Sequence, residues 1–170
     1  MRIALVLVAL AEACAGAAQE RLSDSVTISP GAVNGVGIER EGQRLVVYGD
    51  PQGQWQTADQ VLFTHGRRDV AWAGRTLVEA GAKSIVPARE VEQFTKVEDF
   101  WTSFWDKRFH DYAQQSTRGL TTPLRVDGTA QEGDELSWQD LKVQVLDTPG
   151  YTRGAVSYFI EVAGRKYGFV

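Results

Sequence analysis

The sequence predicts an α/β fold, and three patterns support this prediction. The apolar run 61–63 is followed by a polar turn and then by apolar residues at helical spacing. Strand character resumes at 82–87, so that strand, helix and strand form a β-α-β unit with parallel strands. Elsewhere, β-branched or alternating segments flank glycine-bearing turns, which is typical of antiparallel hairpins. We therefore expect a mixed sheet structure with a helix packed outside it.

Length and composition fit one globular domain. The chain has 170 residues, 43% hydrophobic and 24% charged, which is enough for a substantial core. A net charge of −4, without a dense cluster of Lys and Arg, provides no positive surface for nucleic acid. We expect no nucleic-acid partner. A small-molecule substrate is compatible with this composition, which does not indicate the oligomeric state.

The first residues are typical of a secretory signal peptide. An apolar run at 3–10 is followed by small residues through Ala18. The run is too short to span a bilayer, so no membrane span is expected. We expect a signal peptide over residues 1–18 and a secreted or periplasmic domain over residues 19–170. The alternative is a buried N-terminal strand or helix, which the acidic Glu12 favours.

The only cysteine, Cys14, lies within this N-terminal segment. Signal cleavage would leave a mature chain without disulfides or cysteine-bound metal. Lipid attachment at Cys14 is an alternative. A lipoprotein signal has a small residue directly before the cysteine and an apolar residue three positions before it, and the acidic Glu12 between these two positions counts against it.

Before the central stretch, the chain is predicted to form β-strands. Residues 26–28 form a short strand that Pro30 ends, and residues 36–40 and 43–48 flank a polar Glu-Gly turn as a hairpin. Asp50 follows this hairpin.

The central stretch 61–70 places ionisable residues where a strand ends and a helix begins. Asp69 stands at the expected N-cap, and His65 follows the strand. Residues at the carboxyl ends of strands face the ligand crevice in open α/β folds, so His65 and Asp69 would share one pocket. The alternative is that Asp69 only caps its helix and His65 only forms a hydrogen bond at the strand end.

The rest of the chain is predicted as a helical segment followed by strands. The helix after the central stretch ends at Gly81. Aromatic residues at intervals of mostly three or four over 91–112 indicate a helix or helix pair whose rings form core, and His110 near its end is a possible pocket residue. A strand is expected at 124–126, and hairpins are expected over 132–146 and 155–170.

Two motifs resemble those of the metallo-β-lactamase superfamily. Residues 64–70, THGRRDV, resemble T-H-x-H-x-D-H, and residues 148–156, TPGYTRGAV, resemble T-P-G-H-T-x-G-S-V. The motifs occur in the family's order, and the resemblance extends from about Val33 to Val170. It implies a metallo-β-lactamase-like αββα sandwich, of which we expect only the first half, in a C-terminally truncated domain. It also makes Asp50 the nearest match to an aspartate that braces the metal loop.

The resemblance also implies a set of site residues. In the family, histidines and an aspartate hold zinc, and metal-bound hydroxide attacks a carbonyl or phosphoryl centre. His65 and Asp69 match two metal ligands, and Asp69 is the catalytic candidate. Arg67, Val70 and Tyr151 occupy the positions of three lost histidine ligands.

These replacements count against tight zinc binding. Arg67 has no lone pair and carries a permanent positive charge, and Val70 has no donor atom. Tyr151 could bind metal only as phenolate, which a reference pKa of about 10 disfavours. An ion pair between Arg67 and Asp69 would satisfy the aspartate without metal.

We therefore expect a protein of metal-dependent hydrolase ancestry with a degenerate zinc site. A catalytically inactive binding or scaffold domain is the alternative, and the question of activity stays open at this point. A metal-free hydrolase ranks last because no nucleophile and base pair is evident.

Overall fold

Two β-sheets pack face to face, and helices cover the outer face of the larger sheet. The computed structural model describes residues 18–100 and 120–170. In spatial order, the larger sheet consists of β1 (Glu20–Ser23), β2 (Val26–Ser29), β3 (Gly35–Arg40), β4 (Gln43–Val47), β5 (Gln60–Leu62), β6 (Lys83–Pro87) and β7 (Gly128–Ala130). The smaller sheet consists, in spatial order, of β11 (Arg165–Phe169), β10 (Val156–Val162), β9 (Leu141–Asp147) and β8 (Glu135–Trp138). The helices whose bounds both lie in the described residues are α1 (Arg68–Glu79) and α2 (Val91–Thr95), and a 3-10 turn (Ala88–Glu90) precedes α2.

The centre of the larger sheet is the β-α-β unit that the sequence predicts. Strands β4, β5 and β6 are parallel, and α1 connects β5 to β6. The buried residues Val70, Leu77 and Val78 of α1 join Val61 and Phe63 in one apolar cluster on this face of the sheet. The helix ends at Glu79, and glycine at position 81, with φ of 113°, adopts the left-handed conformation that commonly follows a helix.

A second apolar cluster fills the space between the two sheets. The larger sheet contributes Leu45, Val47 and Leu62, and the smaller sheet contributes residues such as Val143 and Tyr158. Strand β9 alternates buried and exposed residues over most of its length, as expected for a strand with one face in the core. The predicted hairpins β3–β4, β8–β9 and β10–β11 are all antiparallel pairs.

One strand was not predicted, and one predicted strand position is wrong. Residues 20–23, for which no strand was predicted, form edge strand β1, whose side chains are largely exposed and lack an apolar pattern. The strand expected at 124–126 lies instead at β7. The N–H of Leu124 donates to the carbonyl of Phe94 at 2.8 Å, and regular pairing with β6 begins only at Gly128.

The predicted aromatic helix lies largely outside the described residues, as does His110. Its described part begins with α2, in which Phe94 is buried against Phe63 with ring centroids 5.1 Å apart. None of the helices in the described part of the chain has the length and hydropathy that a bilayer crossing requires.

Tyr158 connects the two sheets. Its side chain is fully buried, and its hydroxyl donates to the carbonyl oxygen of Phe63 at 2.9 Å. Burial raises the pKa of this phenol well above its ordinary value, so the hydroxyl keeps its proton. The carbonyl of Phe63 follows β5, so this bond fixes β10 against the end of the strand that leads into the central motif.

We predict that Tyr158→Phe destabilises the fold by about 1–3 kcal/mol, because the buried carbonyl of Phe63 loses its donor while the ring volume is kept. Urea unfolding measures this change. Tyr167→Phe is the control, since the Tyr167 hydroxyl forms no hydrogen bond with the described residues. Equal free energies of unfolding for the two variants would contradict the assigned role of Tyr158.

Candidate functional site

The two motif segments meet at the junction of the two sheets. The N–H of Val156, the first residue of β10, donates to the carbonyl of Thr64 at 2.9 Å. Together with the bond between Tyr158 and Phe63, this contact places the loop before β10 beside the loop after β5. The two motifs, which are far apart in the sequence, are therefore neighbours in the fold.

A cavity of about 370 Å³ lies at this junction, and it is lined by five of the sequence-predicted residues. These residues are His65, Arg67, Asp69, Val70 and Tyr151. A larger open cavity of about 630 Å³ lies on the outer face of the smaller sheet and contains none of them. The smaller cavity is therefore the candidate site.

His65 is held as a neutral imidazole. Burial lowers its pKa; the nearby carboxylate of Glu90 opposes this effect, and the charge of Arg67 reinforces it. The Nδ1 atom accepts the backbone N–H of Arg67 at 3.2 Å, so in the neutral ring the hydrogen is assigned to Nε2. The edge of the ring contacts Tyr151, with centroids 5.1 Å apart.

Arg67 stacks on Tyr151. Its guanidinium carbon lies 4.3 Å from the centre of the Tyr151 ring, within the range of a cation–π interaction. No ion pair joins Arg67 to Asp69 among the described residues, so the ion pair considered from the sequence is wrong. The two residues are two positions apart where a helix begins, and side chains at that spacing do not face each other.

The sequence suggested that Asp69 is the N-cap of α1, and this prediction is wrong: Asp69 lies in the first turn of the helix. The carbonyl of Arg67 accepts the N–H groups of Val70 and Ala71, each at 3.1 Å, so the helix begins at Arg68 and Arg67 is the N-cap. A carboxylate in the first turn still interacts favourably with the helix dipole.

The described residues do not fit a zinc ion. No group of three or more His, Cys, Asp or Glu side chains in residues 18–100 and 120–170 is arranged to hold a metal. Metal binding at Nε2 of His65 would shift the ring hydrogen to Nδ1, which already accepts the N–H of Arg67. A fixed guanidinium charge in the same cavity adds repulsion.

Glu90 links the two motif loops, and the sequence reasoning missed it. Its side chain is 2% exposed, and its carboxylate accepts the N–H of Gly66 in one loop and, at 3.0 Å, the N–H of Gly154 in the other. Glu90 belongs to no motif. Its position in the sequence, soon after β6, could have indicated this role. The carboxyl ends of the neighbouring parallel strands β5 and β6 lie side by side, so a carboxylate that follows β6 can reach the loop after β5.

Both glycines are required by close approach to the 88–95 segment. A Cβ atom at position 154 would lie 2.6 Å from Cγ of Glu90, and one at position 66 would overlap the side chain of Gln93. Larger residues would therefore push either loop away from the carboxylate.

Asp50 braces its own loop. It is buried, it accepts the hydroxyl of Ser29 at 2.7 Å and the N–H of Gln52 at 3.2 Å, and its backbone N–H donates to Ala73 of α1 at 2.8 Å. This arrangement ties the loop after β4 to the helix that carries Asp69.

Similar solved structures identify the fold. The chain superposes on a metallo-β-lactamase with a HARLDQ motif from Cronobacter sakazakii with a TM-score of 0.64 at 15% identity, covering 89% of this chain and 63% of that structure. The chain has the metallo-β-lactamase fold. A metallo-β-lactamase from Legionella gormanii gives a TM-score of 0.63 at 14% identity and covers 88% of this chain and 61% of that one. The predicted fold class is therefore confirmed, and the chain spans somewhat less than two thirds of these structures.

Sequence similarity is confined to a shorter segment. Over 55 residues the chain is 34% identical to a hydroxyacylglutathione hydrolase from Hahella chejuensis, and this match covers 32% of this chain and 19% of that protein. No family model matches the chain.

We predict that Glu90→Ala destabilises the metallo-β-lactamase-fold domain by at least about 2 kcal/mol, because two backbone N–H groups lose their acceptor. Urea unfolding measures the total effect, and amide exchange at Gly66 and Gly154 measures the local one.

The matched control is Glu92→Ala, two residues along the chain. Glu92 pairs with Lys96 on the surface, where an ion pair contributes about 1 kcal/mol or less. If Glu90→Ala is no more destabilising than Glu92→Ala, or leaves exchange at both glycines unchanged, Glu90 does not connect the loops.

Proposed function

We propose that this chain is an exported metallo-β-lactamase-fold domain of metal-dependent hydrolase ancestry, whose zinc site is degenerate and whose pocket binds a small molecule without hydrolysing it. The observation that carries the proposal is the cavity at the junction of the sheets, where Arg67 stacks on Tyr151 between the candidate ligands His65 and Asp69. The likeness to a hydroxyacylglutathione hydrolase supports the ancestry.

The number and the charge of the side chains in the cavity count against a catalytic zinc ion. A catalytic zinc ordinarily takes three protein ligands and keeps one open position. His65 and Asp69 supply two candidate donors, and Val70 supplies none. Arg67 and Tyr151 instead form a cation–π contact with each other, which stabilises this wall of the cavity without a metal.

A metal-dependent hydrolase with unusual ligands is the second candidate, and one observation favours it. The Cronobacter sakazakii protein is described as a metallo-β-lactamase with a HARLDQ motif, and residues 65–70 of this chain are HGRRDV. Both sequences have His, Arg and Asp at the same spacing. Arg67 alone therefore does not separate the candidates, and zinc content does.

We predict that the purified protein, exposed to zinc and then desalted, retains much less than one zinc per chain. The double variant Arg67→His with Tyr151→His should retain more, because it exchanges a cation and a phenol for two imidazoles. Metal analysis by mass spectrometry measures both. Arg75→His, which adds a histidine outside the cavity, is the control for nonspecific binding.

Near-stoichiometric zinc in the unaltered protein, lost on His65→Ala, would refute the degenerate site and favour the hydrolase. An equally low zinc content in the double variant would show that Arg67 and Tyr151 are not what prevents binding.

Export is the remaining part of the proposal, and it is supported by the apolar run at 3–10 and the small residues through Ala18. We predict that protein from the periplasm or culture medium begins at about residue 18 or 19. N-terminal sequencing measures this, and an intact Met1 on protein from the cytoplasm would refute export.

A further inference from the structure

We infer that the cavity at the junction of the two sheets binds a small carboxylate, with Arg67 as the recognising residue. This inference rests on the proposed function, because it assigns a ligand class to the cavity of the metal-free protein. It begins from a charged group that the described part of the chain leaves without a polar partner.

That group is the guanidinium of Arg67. It forms no hydrogen bond and no ion pair with the described residues, and its guanidinium carbon lies 4.3 Å from the centre of the Tyr151 ring. Stacking uses the face of the guanidinium and leaves the N–H groups at its edge available. A planar carboxylate accepts two such N–H groups side by side, which is the strongest arrangement that arginine offers.

Stacking also reduces the cost of binding. A free arginine side chain loses rotamer freedom when it is fixed on a ligand. Arg67 is already positioned by the ring of Tyr151, which itself contacts the edge of His65. The three side chains form a connected wall of the cavity, so part of this entropic cost is met before a ligand binds.

The other lining residues favour a singly charged ligand with an apolar body. Val33, Val70 and Val170 line the same cavity beside the polar Asn34 and Tyr48, and its volume of about 370 Å³ accommodates a small organic acid. Asp69 also lines it. Its negative charge would repel a doubly charged phosphate more strongly than a carboxylate.

His65 provides a second donor in this cavity. Since its Nδ1 atom accepts the N–H of Arg67, the hydrogen of the neutral ring is assigned to Nε2. The cavity thus combines a guanidinium and an imidazole N–H, both of which bind anions. These groups donate hydrogen bonds, whereas a metal ion needs ligands that supply lone pairs.

The test is a protein-observed NMR titration of chelator-treated protein at constant ionic strength. The probes are benzoate, its neutral isostere benzamide, and inorganic phosphate. We expect benzoate to bind about tenfold or more tightly than either comparison compound, and Arg67→Met to weaken benzoate by about tenfold, equivalent to about 1.4 kcal/mol. Arg67→Lys should weaken it by a smaller factor, because lysine keeps the charge and loses the planar fork.

Arg75→Met is the matched control. Arg75 stacks on Trp72 at 4.2 Å, as Arg67 stacks on Tyr151, but it does not line the cavity. Its replacement should leave the affinity for benzoate unchanged. Thermal unfolding of each variant checks the fold, and Arg67→Lys serves as the decisive variant if Arg67→Met does not fold.

The outcomes separate this inference from the proposed function. Failure of benzoate to bind the metal-free protein, or equal affinity for benzoate and benzamide, would overturn the carboxylate site alone, since zinc content tests the degenerate site independently. Tighter binding of phosphate than of benzoate would also overturn it. Benzoate binding that requires added zinc would overturn both.

Discussion

The buried carboxylate of Glu90 is the constraint on which the candidate site depends. It accepts one backbone N–H from each motif loop, and these loops belong to different sheets. A buried carboxylate and two buried N–H groups are each costly to leave unpaired, so loss of either hydrogen bond would be strongly unfavourable. The hydrogen bonds of Glu90 and the hydrogen bond from Tyr158 to Phe63 hold the two loops together. They therefore fix the distance between His65 and Tyr151 across the cavity.

Arg67 and Tyr151 form a cluster of their own in this cavity. In a zinc site, several neutral or anionic donors converge on a cation, which offsets their mutual repulsion. Here Arg67 brings its own positive charge and Tyr151 brings a ring that attracts it, at 4.3 Å. A cation–π contact of this kind contributes about 0.5–1 kcal/mol at an exposed site and more when it is desolvated. This contact holds Arg67 and Tyr151 together in the wall of the cavity.

The sequence predicts the parts of this structure that depend on local periodicity. The β-α-β unit and the three hairpins follow from apolar spacing and turn residues, and the shared cavity of His65 and Asp69 follows from strand direction. Strand β1 was missed because an exposed edge strand has no apolar alternation. Strand β7 was misplaced because pairing with β6 begins only at Gly128, after the β-branched segment at 124–126. Glu90 was missed because its role is set by tertiary contacts across 64 positions of sequence.

The errors within the motif have a common origin in helix geometry. Placing the N-cap at Asp69 assumed that a side-chain oxygen must cap α1, yet the helix begins at Arg68 with no side-chain cap, and Arg67 is the N-cap. Once Arg67 is outside the helix, its side chain turns toward Tyr151 rather than toward Asp69. A zinc ion in an intact site presents positive charge to the ligand as well as to the protein. In the proposed metal-free site, Arg67 would present positive charge to the ligand instead, so the binding of an anion would not require a metal.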